Sequence, residues 1–158
     1  MAKTWKDEDI SLDPIKDQTI AVIGYGIQGD AQANNMKDSG LKVIVGLREG
    51  SPTWNKAKED GHQVMSVADA TKQADIVHIL LPDMVQAKVY KEEIGPNLSE
   101  GNALSFSHAA AIYWKWIDAP ENVDLIMVAP KGPGSKVRET YLQNFGTPSI
   151  VAVEQDKT

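Results

Sequence analysis

Thr19-Ile20-Ala21-Val22-Ile23-Gly24-Tyr25-Gly26-Ile27-Gln28-Gly29-Asp30-Ala31 is the stretch whose reading decides the fold. The apolar run Ile20 to Ile23 leads without a linker into Gly-x-Gly-x-x-Gly, and Asp30 to Met36 then reads as helix. A glycine triplet alone is weak evidence, but one that ends a buried strand and opens a helix marks a seat for a dinucleotide. In that setting Gly24 makes the sharp turn, Gly26 admits a pyrophosphate close to the backbone, and Gly29 lets the helix lie tight on the strand. The free N–H groups and the positive dipole end of the helix then face the phosphates. The alternative is a glycine-rich strand-to-helix turn in some other doubly wound sheet.

The rest of the chain repeats the alternation. Lys42 to Leu47 is a second apolar run, reached through a helix that ends at Ser39-Gly40, where glycine suits a left-handed cap. Asp75 to Leu81, Ala103 to Phe106, Asp124 to Ala129 and Ser149 to Val153 read as further strands, with Gln63 to Met65 a short extra one. Thr53 to Asp60, Val67 to Gln73, Val85 to Glu93 and Lys136 to Asn144 have amphipathic helical spacing. Continuous apolar strands between helices predict an α/β fold: a doubly wound, mostly parallel sheet in a three-layer, Rossmann-like domain. Residues 1–18, with Trp5, Ile10, Leu12, Pro14 and Ile15, read as an arm that packs on the first strand, and 19–158 as the dinucleotide-binding domain.

Composition narrows the classes. With 16 basic and 22 acidic residues, a net charge of -6 speaks against a nucleic-acid or anionic-membrane surface. The absence of cysteine removes disulfides, thiolate metal sites and thiol nucleophiles, and makes a reducing cytoplasm the simplest home. No apolar run approaches the roughly 18 residues that cross a bilayer.

Ligands of such sheets sit beyond the carboxyl ends of the strands. The second strand ends Gly46-Leu47-Arg48 with no acid in the place where one would bond a ribose 2′-hydroxyl. Arg48 can grip a phosphate in bidentate fashion, and Ser51 and Thr53 can donate hydroxyl hydrogen bonds, which favours NADP over NAD. Against this stand Glu49 and the reading of Ser51-Pro52 as a plain helix start.

Gly24-Tyr25-Gly26-x-Gln28-Gly29, Asp38-Ser39-Gly40, Val45 to Ser51, Leu80-Leu81-Pro82-Asp83, His108, Met127 to Gly134 and Ala152 to Asp156 together resemble the N-terminal domain of ketol-acid reductoisomerase. That resemblance implies NADPH, sometimes NADH, as cofactor, and two Mg²⁺ ions for isomerising 2-acetolactate and reducing the product. It also implies that the metal carboxylates belong to a separate helical domain that follows this one. No metal is expected here, because Glu92-Glu93 and Asp7-Glu8-Asp9 read as surface charge. Cofactor contacts are expected at Gly24, Tyr25, Gly26, Ile27, Gln28, Gly29, Arg48, Ser51, Thr53, Leu81, Pro82, Asp83, His108 and Pro133. His108 and Lys131 are the candidate catalytic residues, the plainer readings being a strand-end cap and a turn residue.

The chain departs from the family pattern on the ligand side. Ala109-Ala110-Ala111-Ile112-Tyr113-Trp114-Lys115-Trp116 follows His108 where Gly-Phe-Asn-Ile-His is usual; Ile27 replaces a small polar residue, and Asp30 a basic or neutral one. Ile27 offers no side-chain hydrogen bond and Asp30 would repel a pyrophosphate, so weaker cofactor binding is expected. A rebuilt, engineered cleft would give two outcomes. In one, the alanines open a pocket walled by Ile27, Tyr113, Trp114 and Trp116, with Asp30 or His108 as catalytic base. In the other, Ile112, Trp114 and Trp116 alternate on one face of an extended segment, forming with Tyr113 a patch for self-association. The plainer alternative is packing beneath the loop.

Overall fold

The computed structural model describes residues 3–157; Met1 and Ala2 of the arm and Thr158 lie outside them. Strands β1 (Thr19–Ile23), β2 (Lys42–Gly46), β3 (Gln63–Met65), β4 (Ile76–Ile79), β5 (Ala103–Phe106), β6 (Asp124–Pro130) and β7 (Ser149–Gln155) form one sheet in the order β3-β2-β1-β4-β5-β6-β7. β1 to β6 are all parallel. β7 turns back antiparallel on β6, with Met127 opposite Ala152. The helices are α1 (Ile27–Asp38), α2 (Trp54–Glu59), α3 (Val67–Gln73), α4 (Asp83–Val89), α5 (Ala110–Tyr113) and α6 (Gly134–Leu142). α4 runs on into a π-helical turn, Tyr90–Ile94.

The chain winds outward from β1 in both directions, so the strand order reverses between β1 and β4. Crevices open there, at the carboxyl ends of the strands. Both faces of the inner strands are covered, which is why those strands read as continuous apolar runs. Ala21, Ile23, Ile44, Val77, Ile79, Leu104 and Phe106 pack with Val67 and Ala70 of α3 and with Tyr90 and Ile94. Ile20, Val22 and Val45 pack on the other face with Ala33 of α1, Ala57 of α2 and Leu47. Each of the valine, leucine, isoleucine and phenylalanine side chains among them contributes on the order of 2 kcal/mol when withdrawn from water.

Several expectations need correction. Helix α1 begins at Ile27, ahead of Asp30, because it follows directly on Gly26. The arm does not lie on β1 along its length: Trp5, Ile10 and Leu12 are exposed, and among the described residues of the arm only Ile15 joins the core beside Ile20 and Val22. Ala110 to Tyr113 form a helical turn, and Lys115 takes a left-handed φ of 54°, so Ile112, Trp114 and Trp116 do not alternate along an extended face. β7 is exposed over nearly its whole length, with Ile150, Val151 and Val153 open to solvent.

Helix α1 is held to the sheet and to α6 by amides as much as by apolar contact. The Gln32 side chain is buried; its oxygen lies 2.9 Å from Nε2 of His78 on β4, and its nitrogen donates to Gln28 Oε1 at 3.0 Å and to Ser107 Oγ at 3.1 Å. His78 Nδ1 lies 2.9 Å from the Ser105 hydroxyl on β5. Since Gln32 presents its carbonyl oxygen, His78 donates from Nε2 and accepts at Nδ1, a neutral imidazole with both nitrogens satisfied.

Burial pushes the pKa of His78 down to about 4 from the ordinary 6.5. As pH falls through 6.5 the unfolded chain takes up a proton that the folded one refuses. Stability therefore declines from about pH 6.5 to about pH 4 and levels off below, by about 1.4 kcal/mol per pH unit and roughly 3 kcal/mol in all. Urea denaturation across that range is expected to show this slope, shallower in His78→Leu, which is already less stable at pH 7 because Gln32 and Ser105 lose their partner.

Candidate functional site

The glycine turn shows three different constraints at its three glycines. Gly24 has φ +100°, and a Cβ there would stand 2.9 Å from the Leu80 carbonyl oxygen on the neighbouring chain segment. A Cβ on Gly29 would fall 2.2 Å from the oxygen of Gly24, so the first turn of α1 lies directly on the end of β1. Gly26 is the opposite case: a Cβ there meets nothing within 4 Å, and the residue is exposed. The space in front of the backbone at Gly26 is open, while the backbone itself is pinned on both sides.

Asp30 N–H donates to the Gly26 carbonyl at 2.8 Å, the first bond of the α1 ladder. The N–H groups of Ile27, Gln28 and Gly29 at the head of the helix lie before that ladder begins. Ile27 is 73% exposed; what it offers an anion is its backbone. The head of α6 meets the same place. Gln28 Nε2 donates to the Gly132 carbonyl at 3.0 Å, and a Cβ on Gly134 would stand 2.1 Å from the Ile27 oxygen. This sets Pro133, the N-cap of α6, beside the turn.

Beyond β4 and β5 lies a cleft of about 180 Å³ lined by Gln28, Ile79, Leu80, Leu81, Asp83, Gln86, Ser107, His108 and Pro130. The expected residues Gln28, Leu81, Asp83 and His108 therefore share one space. His108 Nδ1 lies 3.8 Å from Asp83 Oδ2 and accepts from the Ala110 N–H at 3.3 Å, which fixes the ring at the end of β5. Gln86 was not among the residues expected here. Its nitrogen donates to the Leu81 carbonyl at 2.8 Å, and its buried oxygen has no partner among the described residues. The sequence signal was its place one turn of α4 after Asp83. Lys131 is held by its backbone, which donates to the Pro148 carbonyl at 2.8 Å, and its side chain is exposed.

Arg48 is exposed beyond β2. Thr53 is the N-cap of α2 but makes no side-chain cap bond, and Ser51 Oγ is buried with no partner among the described residues. Neither hydroxyl serves as a plain helix cap. Tyr25 turns its side chain inward: its hydroxyl donates to Asp60 at 2.7 Å and accepts from Asn34 at 3.0 Å, and burial raises its pKa above the usual tyrosine value.

The rebuilt pocket does not form as expected. A larger hollow of about 270 Å³ is lined by Phe106, Ala109, Ile112, Tyr113, Lys115, Leu125, Ile126, Met127, Ala152 and Glu154, without Ile27, Asp30, Trp114 or Trp116. Ala111 is buried in the core, and Tyr113 and Trp114 pack edge to face at 4.8 Å. Asp30 faces α2, paired with Lys56 at 2.9 Å and with Asn34 at 2.8 Å.

A doubly wound sheet with its strand order reversing at a pinned glycine turn, and a cleft beside it, defines a Rossmann-type dinucleotide-binding domain. Residues 14–158 match the family described as acetohydroxy acid isomeroreductase, NADPH-binding domain, and the chain belongs to that family. It is 84% identical over 158 residues to the NADP(+) ketol-acid reductoisomerase of Nitrosopumilus maritimus, covering 100% of this chain and 48% of that protein. Against the corresponding protein of Cenarchaeum symbiosum the identity is 75% over 158 residues, with the same coverage. Among solved structures, an NADH-preferring ketol-acid reductoisomerase from an uncultured archaeon superposes with a TM-score of 0.92 at 51% identity, over 96% of this chain and 47% of that one. The chain thus spans about half the length of the curated relatives it matches. High identity along the whole chain lends no support to a rebuilt cleft. No described helix is long and apolar enough to cross a membrane.

The contrast between the glycines is testable without ligand. Gly29→Ala drives a methyl into the Gly24 carbonyl and is expected to cost about 2–4 kcal/mol in urea denaturation, the range of severe steric and backbone changes. Gly26→Ala, with open space before it, is expected to stay within about 1 kcal/mol of wild type.

Proposed function

We propose that NADPH lies across the carboxyl edge of the sheet, its pyrophosphate over Gly24, Tyr25, Gly26, Ile27, Gln28 and Gly29. Its 2′-phosphate falls to Arg48, Ser51 and Thr53. Its nicotinamide falls to the cleft lined by Leu81, Asp83 and His108, and Pro82 and Pro133, the N-caps of α4 and α6, are assigned to the same end of the cofactor. One observation carries this reading: open space at Gly26, at the head of a helix, between two glycines that the backbone packing forbids to be anything else. The unpartnered Ser51 hydroxyl supports the assignment of the 2′-phosphate. NADH is the alternative cofactor.

When bound, NADPH supplies a hydride. His108, with Asp83 3.8 Å away, and the exposed Lys131 are the side chains we assign to the substrate side, as general acid and as oxyanion contact. Asp30 receives no catalytic role, since its carboxylate is engaged by Lys56 and Asn34. The isomerisation and reduction of 2-acetolactate belong, on this reading, to the longer protein and its Mg²⁺ site. Among the described residues no group of three or more His, Cys, Asp or Glu is placed to hold a metal ion. The cytoplasm is the proposed compartment, and only exposure supports Tyr113, Trp114 and Trp116 as a contact between copies, so we propose none there.

Titration of NADPH with its fluorescence followed is expected to show saturable binding. Gly26→Val should abolish it with the fold intact, and Arg48→Ala with Ser51→Ala should lower the preference for NADPH over NADH about tenfold, the loss of one charge-assisted phosphate contact. Binding unaffected by Gly26→Val, or absent in the wild type, overturns the reading.

A further inference from the structure

We propose that Lys56 is a positioning residue for the dinucleotide: it neutralises Asp30 beside the phosphate seat and ties α2 to the helix that carries the glycine turn. The inference rests on the cofactor placement proposed above. Asp30 is in the first turn of α1, hydrogen-bonded through its own N–H to Gly26. A carboxylate there is favoured by the helix dipole, but it competes with a bound phosphate for the same positive field.

Lys56 resolves the conflict. Its ammonium lies 2.9 Å from Asp30 Oδ2 and 2.7 Å from Asp60 Oδ2. Asp60 in turn accepts from the Tyr25 hydroxyl at 2.7 Å, and Asn34 joins Tyr25 to Asp30 through bonds of 3.0 and 2.8 Å. The second residue of the glycine turn, the first turn of α1 and the end of α2 thus meet at one cation. The hydrogen bonds that the ammonium donates to Asp60 and then to Asp30 raise the lysine pKa, so its charge is present throughout the physiological range. Other groups facing the cluster leave Asp30 to Lys56. Lys37 donates to the Asp60 backbone carbonyl at 2.6 Å, and His62, whose pKa burial lowers, meets the Asn34 carbonyl oxygen at 3.1 Å. α2 follows directly on the loop that carries Arg48, Ser51 and Thr53, so the same cation also fixes the base of the proposed 2′-phosphate contact.

Without Lys56, the cluster of Asp30 and Asp60 goes from one net negative charge to two at the head of α1, and at a surface dielectric this is expected to weaken NADPH binding roughly five- to tenfold at low salt. NADPH affinity is measured by fluorescence for wild type, Lys56→Met, Lys56→Arg and the double variant Lys56→Met with Asp30→Asn, with thermal melting as a check on the fold. Lys56→Met is expected to lose affinity, the loss shrinking at 0.5 M salt by screening. Lys56→Arg should retain it, and the double variant should recover to about twofold of wild type at low salt. A purely structural clamp would give a loss that is insensitive to salt and not rescued by Asp30→Asn, and that result overturns the proposal. So does a Lys56→Met protein that binds as wild type does. Failure of the wild type to bind NADPH overturns the cofactor placement itself, and this inference with it.

Discussion

The first turn of α1 rests on the carbonyl at the end of β1 with no room for a methyl group between them, and the rest of the molecule is arranged around that contact. It fixes where the helix points and leaves its head N–H groups aimed past the sheet edge. Gly134 repeats the device from the other side, seating the head of α6 against Ile27. Two helix heads and a strand end thus converge on one spot through backbone-to-backbone packing, a stiffer arrangement than side chains provide.

So close an approach changes what holds the helix. α1 buries Gly29, Ala31, Gln32 and Ala33, with little apolar area among them, and so it relies on hydrogen bonds. Gln28 reaches Gly132, Gln32 reaches His78 and Ser107, and Asn35 donates to the Val137 carbonyl at 3.2 Å. Arg138 of α6 answers with bonds to Asn35 and Asp38. Buried amides of this kind favour one register of the helix, because a shifted register would strand donors and acceptors away from water.

This explains what could be read from the sequence and what could not. The inner strands were plain because sheets covered on both faces require uninterrupted apolar residues, as Ile20 to Ile23 and Val43 to Val45 supply. The glycine turn was plain because each glycine answers a distinct steric need. The start of α1 was not, since a helix fastened by glutamines and asparagines has no apolar stripe to betray its period. The turn at Ala110 to Tyr113 was hidden by an alternation of large residues that suits a strand equally well. Lys56 was invisible because its partner Asp30 lies on α1, far away in the chain, whereas Gln86 could have been found from its place one turn of α4 after Asp83. Asp30 was read as a liability for want of the lysine that lies across from it.

The outermost strand has a consequence of its own. β7 borders the sheet with Ile150, Val151 and Val153 uncovered, and its far side presents unpaired backbone donors and acceptors. Such a rim is a template onto which another extended polypeptide can add as a further strand, the tendency that natural edge strands are built to resist. A lysine placed at Val151 would blunt that tendency at its source without disturbing the buried layers beneath.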